Sequence, residues 1–331
     1  IHGGKAVTLG PRNYIGIGYS ANPVAITVEG ANIMTRNLMI FGQGAIRCHP
    51  YVLEELAAKD ADDLKAFDRA FFAHTGLILG NAARALTQGL GIGRPAVPFD
   101  SVAAPYAKDI ARLSAGFGLT ADAAMASLGA SLKLREMLSA RLGDVLSNLY
   151  LASMVLKSWH EGDKVDGEDE LLHYSCRFLL QRAEQAFVEL FDNLPNRALA
   201  RVLKPIVMPL GRRWARPADK LTRRIAKNVS QASALRTMLL AHTWDTQEEG
   251  QQDNPLARYN ALLVDQERAE PIYRTLNKAY AKGELPSDAL HPEQRIEAAL
   301  DAGLISEDDA DFMREHEAEV LAMLSVDDFA F

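Results

Sequence analysis

The sequence predicts an all-α fold, a helical bundle. Three observations carry this expectation. Apolar residues recur at spacings of three and four through 101–160 and again through 171–194, the period of a helix with one buried stripe. The link between those stretches, EGDKVDGEDE at 161–170, is short and polar, as expected between antiparallel neighbours in a bundle. No internal repeat and no long low-complexity segment interrupts the pattern, and 48% of the 331 residues are hydrophobic, enough for a large core or for two or three smaller ones.

Taken in order, residues 1–35 hold Gly3, Gly4, Gly10, Gly16, Gly18 and Gly30 with Pro11 and Pro23, and read as turns and close backbone approaches. From Ile33 the pattern becomes helical, breaks near Gly42 and Gly44, and resumes around Pro50. Residues 64–90 read as one helix, ended by GLGIGRPAVP. Within 101–160, GLTADAAM marks a helix boundary with Thr120 as N-cap. Residues 171–194 form a helix closed by Pro195. Residues 240–257 are polar and loop-like. The tail from Pro292 reads as two amphipathic helices, with Ser306 capping the second.

A net charge of -7 argues against a general nucleic-acid binder. Cys48 and Cys176 are the only cysteines, which excludes a disulfide framework and fits a reducing compartment. No signal-peptide pattern and no apolar run of about 18 residues is present, so a membrane span is not expected. The segment Arg197–Lys227 is strongly basic, with Asp219 as its only acid, and is interleaved with Leu203, Ile206, Val207, Met208 and Leu210. A solvated basic face is favoured there over contact with an anionic membrane surface, CoA phosphates or nucleic acid. Cys176, in an apolar stripe, reads as an inert buried thiol.

The chemistry-bearing residues are few. Adjacent Gly3 and Gly4 leave the backbone open to a phosphate if they lie at a helix end, or simply form a turn. In TVEGAN, Glu29 follows a β-branched run and precedes Gly30. Desolvation there would raise its carboxyl toward a pKa useful for proton abstraction. The other reading is a helix cap or a solvent-facing acid. No metal site is expected: His2, His49 and His74 are scattered, without HExxH, a cysteine pair or clustered carboxylates. His49 before Pro50 reads as a local structural residue. Hydrolase, Walker and Rossmann signatures are absent.

IHGG, followed about 25 residues later by VEGANIMTR, resembles the acyl-CoA dehydrogenases. SANPVAITVEGANIMTRNLMIFGQGAIRCHPYVLEELAA is similar to the bacterial long-chain enzymes of fatty-acid β-oxidation, and GASLKLREMLSARLGDVLSNLYLASMVLK to their C-terminal helical extension. The resemblance implies FAD as cofactor and acyl-CoA as substrate. Glu29 matches the family's catalytic base, with Gly30 beside it. Ala31 and Val28 stand where threonine and tyrosine are usual. His2, Gly3 and Gly4 match a segment that approaches the FAD of a neighbouring subunit, and Arg36 matches the arginine that closes the motif. An isolated acid suffices for such chemistry, because the cofactor takes the hydride and the thioester acidifies the α proton.

The N-terminal helical and middle β domains of that family are not represented, and the first residue is not Met. The chain is therefore expected to be the C-terminal portion of a dehydrogenase. Residues 1–60 would be the part carrying the base, and 61–331 the extension, with a tail subdomain at 285–331. An electron-transfer acceptor, a homo-oligomer and a cytoplasmic location with peripheral inner-membrane contact are the further expectations, with no nucleic acid. The alternative is a non-catalytic helical module for oligomerisation, membrane or electron-acceptor docking.

Overall fold

The computed structural model describes residues 3–10, 12–25, 27, 39, 43–93, 96–99, 102–244 and 254–327. Among them every regular element is helical: α1 (Tyr14–Ala25), α2 (Ala45–Arg47), α3 (Val52–Asp60), α4 (Leu64–Gly89), α5 (Ala104–Leu128), α6 (Glu136–Glu161), α7 (Glu168–Asn193), α8 (Arg197–Val207), α9 (Asp219–Val229), α10 (Ala234–Leu240), α11 (Pro255–Ala281), α12 (Pro292–Asp301) and α13 (Glu307–Leu324). The expected all-α helical bundle is what the chain forms. The helix expected from Ile33 lies outside the described residues. The chain divides into two compact units, one of residues 24–223 and the other of residues 1–23 with 224–331.

In the first unit, α6 and α7 form the expected antiparallel hairpin. Trp159 near the end of α6 donates from Nε1 to Asp169 Oδ1 at 2.9 Å near the start of α7. At the other end Leu142 and Leu190 share one apolar cluster. Between these ends, Leu149, Leu156, Cys176, Leu180 and Phe187 build the main core. Each side chain of this size contributes roughly 1.5–3 kcal/mol by leaving water.

α5 is the central helix of this unit, buried on nearly every side from Tyr106 to Ala124. Small residues let its neighbours come close: a Cβ on Gly116 would stand 2.7 Å from Val207 Cγ1 of α8. Thr120 does not start a helix. It lies inside α5, buried, and its hydroxyl donates to Gly116 O at 2.7 Å. The break between α5 and α6 comes at Gly129, at φ 52° and ψ -136°, a conformation essentially reserved for glycine.

The basic segment is tied to the core. Glu184 of α7 is fully buried and accepts from Arg112 Nη2 (3.0 Å), Arg213 N (2.8 Å) and Trp214 N (3.0 Å). Asp109 accepts from Arg112 Nε (3.1 Å), Arg213 Nη1 (3.2 Å) and Trp214 Nε1 (2.7 Å). Both carboxylates are thus repaid for desolvation by paired, hydrogen-bonded partners. Leu203, Val207 and Met208 are buried, so the apolar side of α8 packs on protein. The expected solvated face holds for exposed residues such as Arg201, whereas Arg213, though partly exposed, is tied down by Glu184 and Asp109.

In the second unit, Ile272 and Leu276 of α11, Ile296 of α12, and Ala310 and Met313 of α13 form a separate core. Ser306 caps α13 as expected, accepting from Asp309 N at 3.1 Å. One expectation failed at the start of the chain: residues read as turns form α1. Asn13 Oδ1 accepts from Gly16 N at 2.8 Å, a cap that starts the helix despite two glycines costing roughly 1 kcal/mol each.

Candidate functional site

Four polar side chains meet where α3, α4 and α5 come together. His49 lies in the turn before α3. The backbone N–H groups of Tyr51 and Val52 each donate to its Nδ1 at 3.1 Å, satisfying donors that a helix start leaves open. With Nδ1 accepting, the neutral ring carries its proton on Nε2. That nitrogen is 3.2 Å from Asp122 Oδ1 on α5. His74, midway along α4, has Nδ1 2.8 Å from Glu55 Oε1 on α3 and Nε2 3.8 Å from Asp122 Oδ1. A carboxylate only accepts, so the donor pattern assigns the Nδ1 proton to His74. The two imidazole rings lie 4.4 Å apart, tilted by 53°.

These groups are held away from water: side-chain exposure is 8% for His49, 5% for Asp122 and 17% for His74. Burial pushes the Asp122 carboxyl above its ordinary range, and the two imidazoles pull it partly back. Burial also lowers His49, against the pull of Asp122 and with the added push of His74. His49 Nε2, His74 Nε2 and Asp122 Oδ2 have no hydrogen-bond partner among the described residues.

His49, Asp122 and Asn81 also border a cavity of about 580 Å³ whose walls include Leu77, Phe117 and Met125. It offers a predominantly apolar space with polar groups on one side, a form suited to small ligands. The two imidazole nitrogens and one carboxylate oxygen lie within 4.8 Å of one another.

The site residues assigned from the sequence are not among these residues. His2, Glu29, Gly30, Ala31 and Arg36 fall outside the described residues. Gly3 and Gly4 open a short 3-10 turn, Gly3–Ala6. A Cβ on Gly4 would stand 3.2 Å from Val326 Cγ1, so the chain's own side chain borders it. Of the residues assigned to FAD, only these two glycines are described.

The family described as acyl-CoA dehydrogenase, C-terminal, bacterial type, matches residues 46–329. The chain belongs to this family. It is thus a member of an enzyme family of acyl-CoA dehydrogenase type, as its sequence resemblance implied. Within the acyl-CoA dehydrogenase match lie His49, His74 and Asp122, whereas Glu29 and every residue assigned to FAD precede it. No solved structure gives a significant match.

The sequence reading missed Asp122, set His74 aside as a scattered histidine and gave His49 only a local role. The expectation that no metal site exists rested on spacing along the chain, and the fold brings these three residues together regardless. A signal was present: Asp122 is the only acid in the stretch from Leu113 to Leu132, and acids are seldom placed in buried helices without partners.

Proposed function

We propose that this chain is the C-terminal portion of an FAD-dependent acyl-CoA dehydrogenase of fatty-acid β-oxidation, acting on medium- or long-chain acyl-CoA to give trans-2-enoyl-CoA. The family match over residues 46–329 carries the reading, and the segment AITVEG at 25–30 supports the assignment of the base. Glu29 takes the α proton of the thioester as its general base. FAD supplies the acceptor for the β hydrogen. His2, Gly3, Gly4, Gly30, Ala31 and Arg36 are the residues of this chain assigned to cofactor contact.

The remaining partners are an electron-transfer acceptor and further copies of the same protein. The proposed location is cytoplasmic with peripheral contact at the inner membrane. No described helix is long and apolar enough to cross a membrane. A second reading has one observation in its favour: the match begins after Glu29. On that reading the helices are a docking or oligomerisation module rather than part of the reacting centre.

The test is flavin absorbance of the full-length dehydrogenase and its Glu29→Gln variant under palmitoyl-CoA. We expect bleaching of the former and at least a ~100-fold slower reduction in the latter, the scale of a lost general base, with substrate binding retained. Normal reduction by the Gln variant would exclude Glu29 as the base. A colourless full-length protein would remove the flavin assignment itself.

A further inference from the structure

We propose that His49, His74 and Asp122 form a site for a divalent transition cation of the zinc type. Tetrahedral coordination with bonds of about 2.0–2.1 Å sets ligand atoms roughly 3.3 Å apart. His49 Nε2 and His74 Nε2 lie 3.2 and 3.8 Å from Asp122 Oδ1, and all three ligand atoms are within 4.8 Å of one another. Little movement separates this arrangement from a coordination shell. The three residues come from a turn and two packed helices, so their positions are fixed by the fold before any ion arrives.

The hydrogen-bond inventory points the same way. His49 Nε2, His74 Nε2 and Asp122 Oδ2 are buried and, apart from the close approach of both nitrogens to Asp122 Oδ1, make no hydrogen bond, an arrangement that costs free energy unless something satisfies them. A cation would engage the two nitrogens and the carboxylate together. Glu55 holds His74 by its Nδ1 at 2.8 Å, leaving Nε2 to point inward, which is how carboxylates orient metal-binding imidazoles. Two imidazoles and one carboxylate favour zinc and its transition-metal neighbours over magnesium or calcium, which take oxygen ligands. His49 and Asp122 border the cavity, so a fourth position is open to water or another small ligand.

One contact opposes loading. His49 Nδ1 accepts from Tyr51 N and Val52 N, so the ring must exchange its Nε2 proton for one on Nδ1 and give up these bonds. One helix cap is a small loss beside three metal–ligand bonds. The exchange leaves a signature: metal loading should shift the amide resonances of Tyr51 and Val52.

The test uses the chelator-stripped 331-residue chain titrated with zinc by calorimetry and with cobalt by visible spectroscopy. We expect one equivalent of zinc, an intense tetrahedral cobalt spectrum, and shifted Tyr51 and Val52 amides. His74→Gln and Asp122→Asn should weaken zinc at least 100-fold, and Glu55→Gln about 10–100-fold, the range for an orienting partner. Circular dichroism establishes that each variant is folded. Should one fail to fold, the cobalt spectrum and amide shifts of the unaltered chain decide. Absence of stoichiometric zinc, a weak octahedral cobalt spectrum, unmoved amides, or undiminished binding in folded His74→Gln would each overturn the proposal. These readouts need no flavin, so their outcome is separate from that of the dehydrogenase reading.

Discussion

Cys176 is fully buried in the main core of the first unit, and burial pushes its thiol up to about 12 from an ordinary 9.0. The folded chain therefore holds a proton that the unfolded chain gives up at lower pH. The stability tied to this group is complete below the unfolded value and is lost as pH rises from about 9 toward about 12. Cys176→Ala should flatten the loss of stability over that window, as read from urea midpoints at a series of alkaline pH values. An unchanged slope would refute the assignment. Cys48 is exposed, so Ellman's reagent should titrate one thiol per native chain and the second only on unfolding. The inert character of Cys176 was legible from its apolar stripe, because local pattern reports burial. The meeting of His49, His74 and Asp122 was not, since they come from different elements and only packing unites them. The assignment of Glu29 rests on motif likeness rather than on any local physical signal strong enough to stand alone, and the residue lies outside the described ones.

At the scale of elements, glycine has two uses that a single sequence does not separate. Gly116 is a packing position: alanine there gains up to about 1 kcal/mol of helix propensity but drives its Cβ to 2.7 Å from Val207 Cγ1. Overpacking typically costs about 1–3 kcal/mol, so Gly116→Ala should be neutral to destabilising by about 2 kcal/mol. Gly76 of α4 meets nothing within 4 Å, and Gly76→Ala should stabilise by about 0.5–1 kcal/mol. Chemical denaturation of the two variants checks both signs, and a more stable Gly116→Ala would contradict the close approach of α5 and α8. The same ambiguity explains the reading of the fold. α4, α7 and the tail helices α12 and α13 were legible because apolar period, polar links and a serine cap agree. α1 was hidden because its glycines resemble turns, while Asn13 supplied an unrecognised cap. The α5 boundary was placed at Thr120 because GLTADAAM resembles a helix start, yet the Thr120 hydroxyl bonds back to Gly116 O within the helix and Gly129 makes the break.

At the scale of the whole chain, the family match extends over residues of both compact units, but their cores consist of different residues. The first is built on the long α6–α7 hairpin and central α5. The second gathers α11, α12 and α13 around Ile296, Ala299 and Met313, all at 0% exposure. Cores without shared residues allow local opening with separate free energies. Ile296→Ala removes buried methyl groups from the second core and should cost about 2–5 kcal/mol there. Hydrogen exchange followed by mass spectrometry should then show faster exchange across α11–α13, while α5, α6 and α7 keep their protection. Equal acceleration of both sets would mean that the chain opens as one cooperative body, whatever the division of its cores. Unchanged exchange in α11–α13 would mean that Ile296 does not hold that core together.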